Sequence, residues 1–244
     1  MEKTEGIVLR AIDWSESSKI AALWTRDLGK VRVLAKGGKR LRSNFDSALD
    51  ILTACDIVLL RKNNGSLDIL TEARVRNGMA GLRRNLETLY AGYHVADLLD
   101  EWTRENDPHP VLYEESLRTL DGLGKEGCSA AVRLMHFEMV FLKELGYRPA
   151  LEHCAGCQRP PGKSATIFSH QAGGVLCEAC KGPISEGRNL TPQAREFLLS
   201  LEGSEDEWSR PWPSSVRAEV RQLLNGYLTF LRERPPRMLP YLGS

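Results

Sequence analysis

Four of the six cysteines stand in two CxxC pairs, and these pairs are the residues best suited to bind a metal. The pairs are Cys154/Cys157 and Cys177/Cys180, and 19 residues separate them. A CxxC turn directs two thiolates at one point, so two such turns can complete a tetrahedral site. Because four thiolates leave no open position for water, we predict one structural Zn²⁺ per chain. A thioredoxin-like redox pair and two disulfides are the alternatives.

A second candidate site is the basic segment 30–42, where six Lys and Arg residues fall within thirteen positions that contain no acid. On a β-strand, Lys30 and Arg32 share one face while Val31 and Val33 point to the other. Such a strip suits the phosphates of a nucleic acid strand, and a merely solvated barrel face is the alternative. Arg61 and Lys62, which precede a later Asn-Gly turn, are added to this set. The predicted DNA-binding residues are therefore Lys30, Arg32, Lys36, Lys39, Arg40, Arg42, Arg61 and Lys62.

The charge distribution agrees with a basic module at the start of the chain. Residues 1–84 hold 16 basic and 10 acidic side chains, whereas the whole chain has a net charge of only +1. Aromatic rings are scarce in this part, since Trp14, Trp24 and Phe45 are the only ones before Tyr90. We therefore expect the charge of the DNA backbone to matter more for binding than base stacking.

Five short runs rich in Val, Ile and Leu read as strands within residues 6–76, with turn-like segments between them. Five strands in about 70 residues favour a small barrel of the OB type, with an SH3-like barrel as the alternative. From Met79 the apolar residues recur at helical spacing, and the helix predicted at 129–145 is apolar on most of its circumference. Helices resume at Thr191, a predicted N-cap before Pro192, and end with one near 214–234.

The predicted fold class is therefore a multidomain α+β protein, in which a small β-barrel (OB-fold) precedes an α-helical domain interrupted by a four-cysteine zinc module. We place the basic, DNA-binding barrel at 1–78, the first part of the helical domain at 79–149, the zinc module at 150–183 and the C-terminal helical part at 184–244.

Motifs for catalysis are missing from the sequence. It contains no GxxxxGK[ST], no GxGxxG after a strand, no GxSxG and no HExxH, and its acids do not form a paired set for Mg²⁺. We predict no catalytic residue and no cofactor other than Zn²⁺. The rival hypotheses are a zinc-stapled DNA-processing enzyme, such as a nuclease or nucleotidyl-transfer subunit, and a zinc-ribbon transcription factor. No apolar run is long enough for a membrane span or signal peptide, so we expect a cytoplasmic protein.

Several segments resemble the bacterial RecO family of recombination mediators. In the barrel they are TEGIVL at 4–9 and LGKV at 28–31, which runs into AKGG at 35–38. The junction LGYRPALEHCAGC at 145–157 and the segment GGVLC at 173–177 are more specific. The similarity covers essentially the whole chain and keeps the order barrel, helices, zinc module, helices.

This resemblance implies a non-catalytic protein of DNA repair and recombination in the RecF pathway, associated with the nucleoid. Such proteins bind single- and double-stranded DNA and anneal complementary strands. With RecR they help to load RecA onto strands covered by single-strand-binding protein, and RecF acts in the same pathway. The resemblance assigns DNA binding to the basic barrel edge and the metal to the four cysteines. It places neither RecR nor single-strand-binding protein on individual residues.

Overall fold

A computed structural model describes residues 1–39, 45–62, 66–125, 129–162, 166–182 and 187–242. The contacts divide the chain into two compact units, Met1–Glu126 and Gly127–Ser244. The domain boundaries drawn from the sequence stay predictions. No helix within the described ranges is long and apolar enough to cross a membrane.

The first unit contains a closed five-stranded barrel, as predicted. Its strands are joined in the order β1-β2-β3-β5-β4, and only the β3–β5 pair is parallel. The strands are β1 (Glu2–Asp13), β2 (Lys19–Thr25), β3 (Gly29–Ala35), β4 (Ala54–Leu60) and β5 (Asp68–Asn77).

Alternation of side chains along the strands fills the barrel. On β3, Val31, Val33 and Ala35 lie in the interior core, together with Leu23 from β2 and Leu59 from β4. Successive side chains of a strand point to opposite faces, so the residues between them lie on the outer face of the barrel. The valine-, leucine- and isoleucine-rich runs of the sequence are these strands.

Two helices complete the first unit, α1 (Leu86–Trp102) and α2 (Pro110–Leu123). α1 begins seven residues after the start predicted at Met79, because Met79 has a left-handed φ of 49° and a 3₁₀ turn covers Leu82–Arg84. Asn85 then caps α1 by accepting a hydrogen bond from the Glu87 N–H at 2.8 Å. α1 packs against β1 and β2, so one end of the outer barrel face is covered.

The second unit is helical with a small sheet. Its helices are α3 (Ala130–Glu144), α4 (Pro192–Ser200), α5 (Glu205–Trp208) and α6 (Ser214–Arg232). As predicted, α3 is buried on most of its circumference, and Thr191 caps α4 with Pro192 at its first position. α5 is a short helix of four residues between α4 and α6.

The small sheet of the second unit was not anticipated from the sequence. It consists of β6 (Thr166–Ser169), β7 (Gly174–Leu176) and β8 (Gly187–Leu190), in the order β7-β6-β8. β7 ends immediately before Cys177, so the sheet carries one of the two CxxC pairs.

Candidate functional site

The two CxxC pairs come together in the second unit. Their four sulfur atoms all lie within 4.8 Å of one another, and Cys157 Sγ is 3.7 Å from Cys177 Sγ. Cys154 is buried, and the other three are partly exposed. The structure joins none of these four in a disulfide.

Backbone hydrogen bonds fix the two turns against the sheet. The Ala155 N–H donates to the Val175 carbonyl of β7 at 2.8 Å, which ties the first CxxC turn to the strand that leads into the second. The Cys180 N–H closes the second turn by donating to the Cys177 carbonyl at 2.9 Å. A Cβ atom at Gly156 would lie only 3.3 Å from Cys180 Sγ, so the small residue lets the turns approach closely.

The surroundings of two cysteines favour the thiolate form. The Arg159 guanidinium hydrogen-bonds to Cys157 and, with the Arg159 backbone, lowers the pKa of that thiol to about 6. Burial opposes ionisation of Cys154, but hydrogen bonds from the backbone of Cys177, Cys157 and Gly156 outweigh it and lower its pKa. Hydrogen bonds with the neighbouring thiols, Cys157 first, raise the pKa of Cys180 to about 12, as expected where several negative charges converge.

The donor set and its dimensions fit a tetrahedral metal. Zn–S bonds of about 2.3 Å place the sulfurs of a tetrahedral site about 3.8 Å apart, close to the 3.7 Å between Cys157 and Cys177. A cation at the centre would stabilise the thiolate form of Cys180, which its hydrogen bonds with the neighbouring thiols disfavour. The four cysteines can therefore hold a metal ion.

The cations predicted to bind DNA are not all exposed. As predicted, Lys30 and Arg32 share one face of β3, the outer face of the barrel, but Lys30 is only 8% exposed. Its ammonium donates to the Asp100 carbonyl of α1 and lies 3.8 Å from Asp100 Oδ1. The physical reason is that α1 covers this end of the outer face.

Three other predicted cations face acids of the same unit. Arg32 Nε lies 3.4 Å from Glu105 Oε1, and Lys39 Nζ lies 3.1 Å from Asp13 Oδ2. Arg61 is more firmly held, because its Nε lies 2.9 Å from Asp68 Oδ2 and its Nη2 donates to Asn106 Oδ1 at 2.5 Å. The segment 30–42 contains no acid, yet the fold supplies acids from elsewhere.

Lys36 and Lys62 are both exposed, and no ion pair joins either of them to another residue that the structure describes. Arg40 and Arg42 lie outside the described residues. The structure adds Arg10, which sequence reasoning missed. Arg10 is exposed on β1 and lies on the same outer row as Arg32, through the register Arg10–Ala22–Arg32. A single arginine within the apolar run GIVLRAI at 6–12 was the available signal.

Comparison with known proteins identifies the family. The family model described as Recombination protein O N terminal matches residues 1–79, and the one described as Recombination protein O C terminal matches residues 83–240. The two matches cover the barrel and nearly all of the helical part.

Curated relatives resemble this chain over most of its length. The chain is 35% identical to a DNA repair protein RecO of Rhodopirellula baltica over 262 aligned residues, which cover 97% of both chains. It is 31% identical to the DNA repair protein RecO of Roseiflexus over 99% of this chain and 85% of the relative. It is 33% identical to the DNA repair protein RecO of Bacillus pumilus over 92% of this chain and 87% of the relative. With its barrel, helices and four-cysteine cluster in the expected order, this chain belongs to the RecO family of DNA repair and recombination proteins.

Proposed function

We propose that this protein binds single- and double-stranded DNA on the outer face of the barrel and anneals complementary strands without breaking or forming covalent bonds. The observation that carries the proposal is the set of exposed cations on and beside that face, in a chain of the RecO family. Neutralising phosphates with such cations releases condensed counterions, which drives sequence-independent binding.

The exposed members of the predicted set carry most of this role. They are Arg32, Lys36, Lys39 and Lys62, to which the structure adds Arg10. Arg32 and Lys39 face acids across exposed ion pairs, and exposed pairs are weak enough for a phosphate to replace the carboxylate. Lys30 and Arg61 contribute less, because their acidic partners hold them within the fold.

Annealing requires that two polyanions approach each other, and a cationic surface lowers their mutual repulsion. Following the family, we propose that the protein acts on strands covered by single-strand-binding protein, and that with RecR it helps to load RecA in the pathway that includes RecF. Phosphate contacts make binding of this kind independent of base sequence, as a general mediator requires.

Mixing the purified protein with two complementary oligonucleotides, one of them fluorescently labelled, tests the proposal. We expect duplex to form faster than without protein, in the absence of ATP and of divalent metal, whether or not the strands carry single-strand-binding protein. Unaccelerated duplex formation would contradict annealing. Shortened strands on addition of Mg²⁺ or Mn²⁺ would instead support the nuclease alternative.

We further propose that Cys154, Cys157, Cys177 and Cys180 hold one structural Zn²⁺. The convergence of the four sulfurs within 4.8 Å supports this role, and four protein ligands leave no position for a reacting water. Zinc would supply a cross-link here rather than chemistry, because the cysteines that would hold it lie on the turn at Cys154 and on the turn that follows β7. Binding energy at such a site is folding energy, so its loss should destabilise the second unit.

Elemental analysis of Cys154→Ser beside Cys55→Ala tests the zinc site. Cys55 is a buried cysteine of the barrel and serves as the matched control. The parent and Cys55→Ala should each contain one zinc per chain, whereas Cys154→Ser should contain less and melt at a lower temperature. A parent without zinc, or a Cys154→Ser variant with full zinc content, would contradict the assignment.

A further inference from the structure

Five large aliphatic side chains form a continuous row around the outside of the barrel, one from each strand. The strand registers pair Ile12 with Ile20, Ile20 with Leu34, Leu34 with Ile69, and Ile69 with Leu60. Side chains at paired positions lie about 5 Å apart, so the five are direct neighbours. We name these residues the aliphatic row.

The aliphatic row faces outward. On β2, β3, β4 and β5 its members alternate with Ala21, Val33, Leu59 and Leu70, which lie in the barrel core. Ile12 is 43% exposed and Leu60 is 38% exposed, and the other three are partly exposed. Outward-facing Ile7 and Trp24, by contrast, are fully buried on the strands where α1 packs.

Exposed aliphatic residues are common singly, but a contiguous row marks a surface that contacts something. The row continues to Trp14, which follows Ile12 by two positions and is 66% exposed, the only ring of the described first 85 residues that lies open to solvent. A flat apolar strip that ends in an indole is suited to the faces of unstacked bases.

Cations border the row on both sides. The neighbouring outer row holds Arg10 and Arg32, about 7 Å away along β1 and β3. On the other side, exposed Lys36 follows Leu34 by two positions. A surface that alternates cation, aliphatic side chain and cation is complementary to a chain that alternates phosphate and base.

We propose that the aliphatic row and Trp14 form a base-contact platform for single-stranded nucleic acid, with Arg10, Arg32 and Lys36 neutralising its phosphates. This inference rests on the proposed function and adds to it that single strands gain contacts which a duplex cannot make, since a duplex stacks its bases internally. It also adds base contacts to the expectation that backbone charge matters more for binding than base stacking. An apolar protein partner is less well matched, because the border of the row is cationic rather than neutral.

Fluorescence anisotropy with the full chain, oligo(dT) and a duplex of the same length tests the platform. The variants are Ile20→Thr/Leu34→Thr, which places a β-branched residue at both strand positions, and Trp14→Ala, which alters an exposed loop and leaves the barrel core intact. Val111→Thr on α2 is the control, because Val111 is 59% exposed but lies outside the row.

We expect both row variants to bind oligo(dT) about five- to tenfold more weakly, with an unchanged duplex affinity and an unchanged slope of log affinity against log salt. Val111→Thr should match the parent. The inference would be overturned if the variants lost equal affinity for oligo(dT) and for the duplex, lost no affinity at all, or showed a shallower salt slope. A change in the self-association of the variants, measured by sedimentation, would overturn it as well. A parent chain that binds no DNA would overturn the proposed function itself, whereas a binding parent with unaffected row variants would overturn the platform alone.

Discussion

Arg32 of β3 and Glu105 of the segment between α1 and α2 face each other across 3.4 Å. The same segment donates the Asn106 N–H to the Lys30 carbonyl at 2.9 Å, so it is anchored along the edge of β3. Under the proposed function, a carboxylate therefore occupies the position that a DNA phosphate would take beside Arg32.

Replacing Glu105 by Gln should strengthen binding to single-stranded DNA by about two- to fivefold. The substitution frees the Arg32 guanidinium and removes a negative charge that repels phosphate, and exposed ion pairs contribute up to about 1 kcal/mol. Anisotropy at low salt measures the change. Glu114→Gln is the control, because it breaks an exposed pair with Arg26 outside the predicted DNA-binding set. An equal or weaker affinity of Glu105→Gln would show that Arg32 does not meet phosphate.

Lys36 and Lys62 should set part of the salt dependence of binding. If four to six phosphates are neutralised, the log–log slope for single strands is roughly −3 to −4, and Lys36→Ala/Lys62→Ala should make it shallower by about 1.4. Both side chains are exposed, so the melting temperature should stay nearly constant. Lys125→Ala removes an exposed cation on the same unit and should leave the slope unchanged. A double variant with the parent's slope would place the phosphates elsewhere.

The stability of the second unit should depend on a buried ion pair between α3 and α6. Arg221 of α6 donates to Glu138 of α3, and the two side chains are 7% and 0% exposed. Arg221→Met should lower the free energy of unfolding by about 3–5 kcal/mol, because it deprives a buried carboxylate of its guanidinium. Arg221→Met/Glu138→Met should lose less than the single variant, as measured by urea unfolding. If the double variant loses the sum of the effects of Arg221→Met and Glu138→Met, the two residues are not coupled.

His170 should make stability depend on pH. It packs beside Tyr227, and burial, together with the charge of Arg188, lowers its pKa below the ordinary 6.5. Below pH 6.5 the unfolded chain then binds the proton more readily than the folded chain. Stability must therefore fall as the pH drops from 6.5 towards the lowered pKa of the folded state, and it levels off below that pKa.

The variant His170→Phe keeps an aromatic ring but removes the contribution of His170 to the pH dependence of stability. Urea unfolding between pH 7.5 and pH 5 should show a smaller loss of stability on acidification than in the parent. Identical pH profiles would mean that burial of His170 does not disfavour its charged form.

Local patterns explain what could be predicted from the sequence. The strands of the barrel follow from alternating side chains, and the four-cysteine cluster follows from CxxC turns whose geometry is set within four residues. The start of α1 was misplaced, since the apolar spacing continues through Met79 although its left-handed φ prevents a helix there. β6, β7 and β8 span only three or four residues each, too few for alternation to be visible.

Long-range pairings explain what could not be predicted. Glu105 is 73 positions from Arg32 and Asp100 is 70 positions from Lys30, and nothing in segment 30–42 indicates that acids will lie beside it. The aliphatic row is equally non-local, because its five members come from five strands and only the register brings them together. Sequence reasoning identified the charged strand and missed both its acidic neighbours and its apolar surface.

Photo-cross-linking tests most directly the claim that DNA lies on the outer face of the barrel. An oligo(dT) that contains 4-thiothymidine is bound to the full chain, irradiated and digested, and the linked peptides are identified by mass spectrometry. We predict cross-links in peptides that contain Trp14, Leu34–Lys36 or Lys62, and that unlabelled oligo(dT) suppresses them. Cross-links confined to residues 129–242 would contradict the account, because they would place the DNA on the second unit.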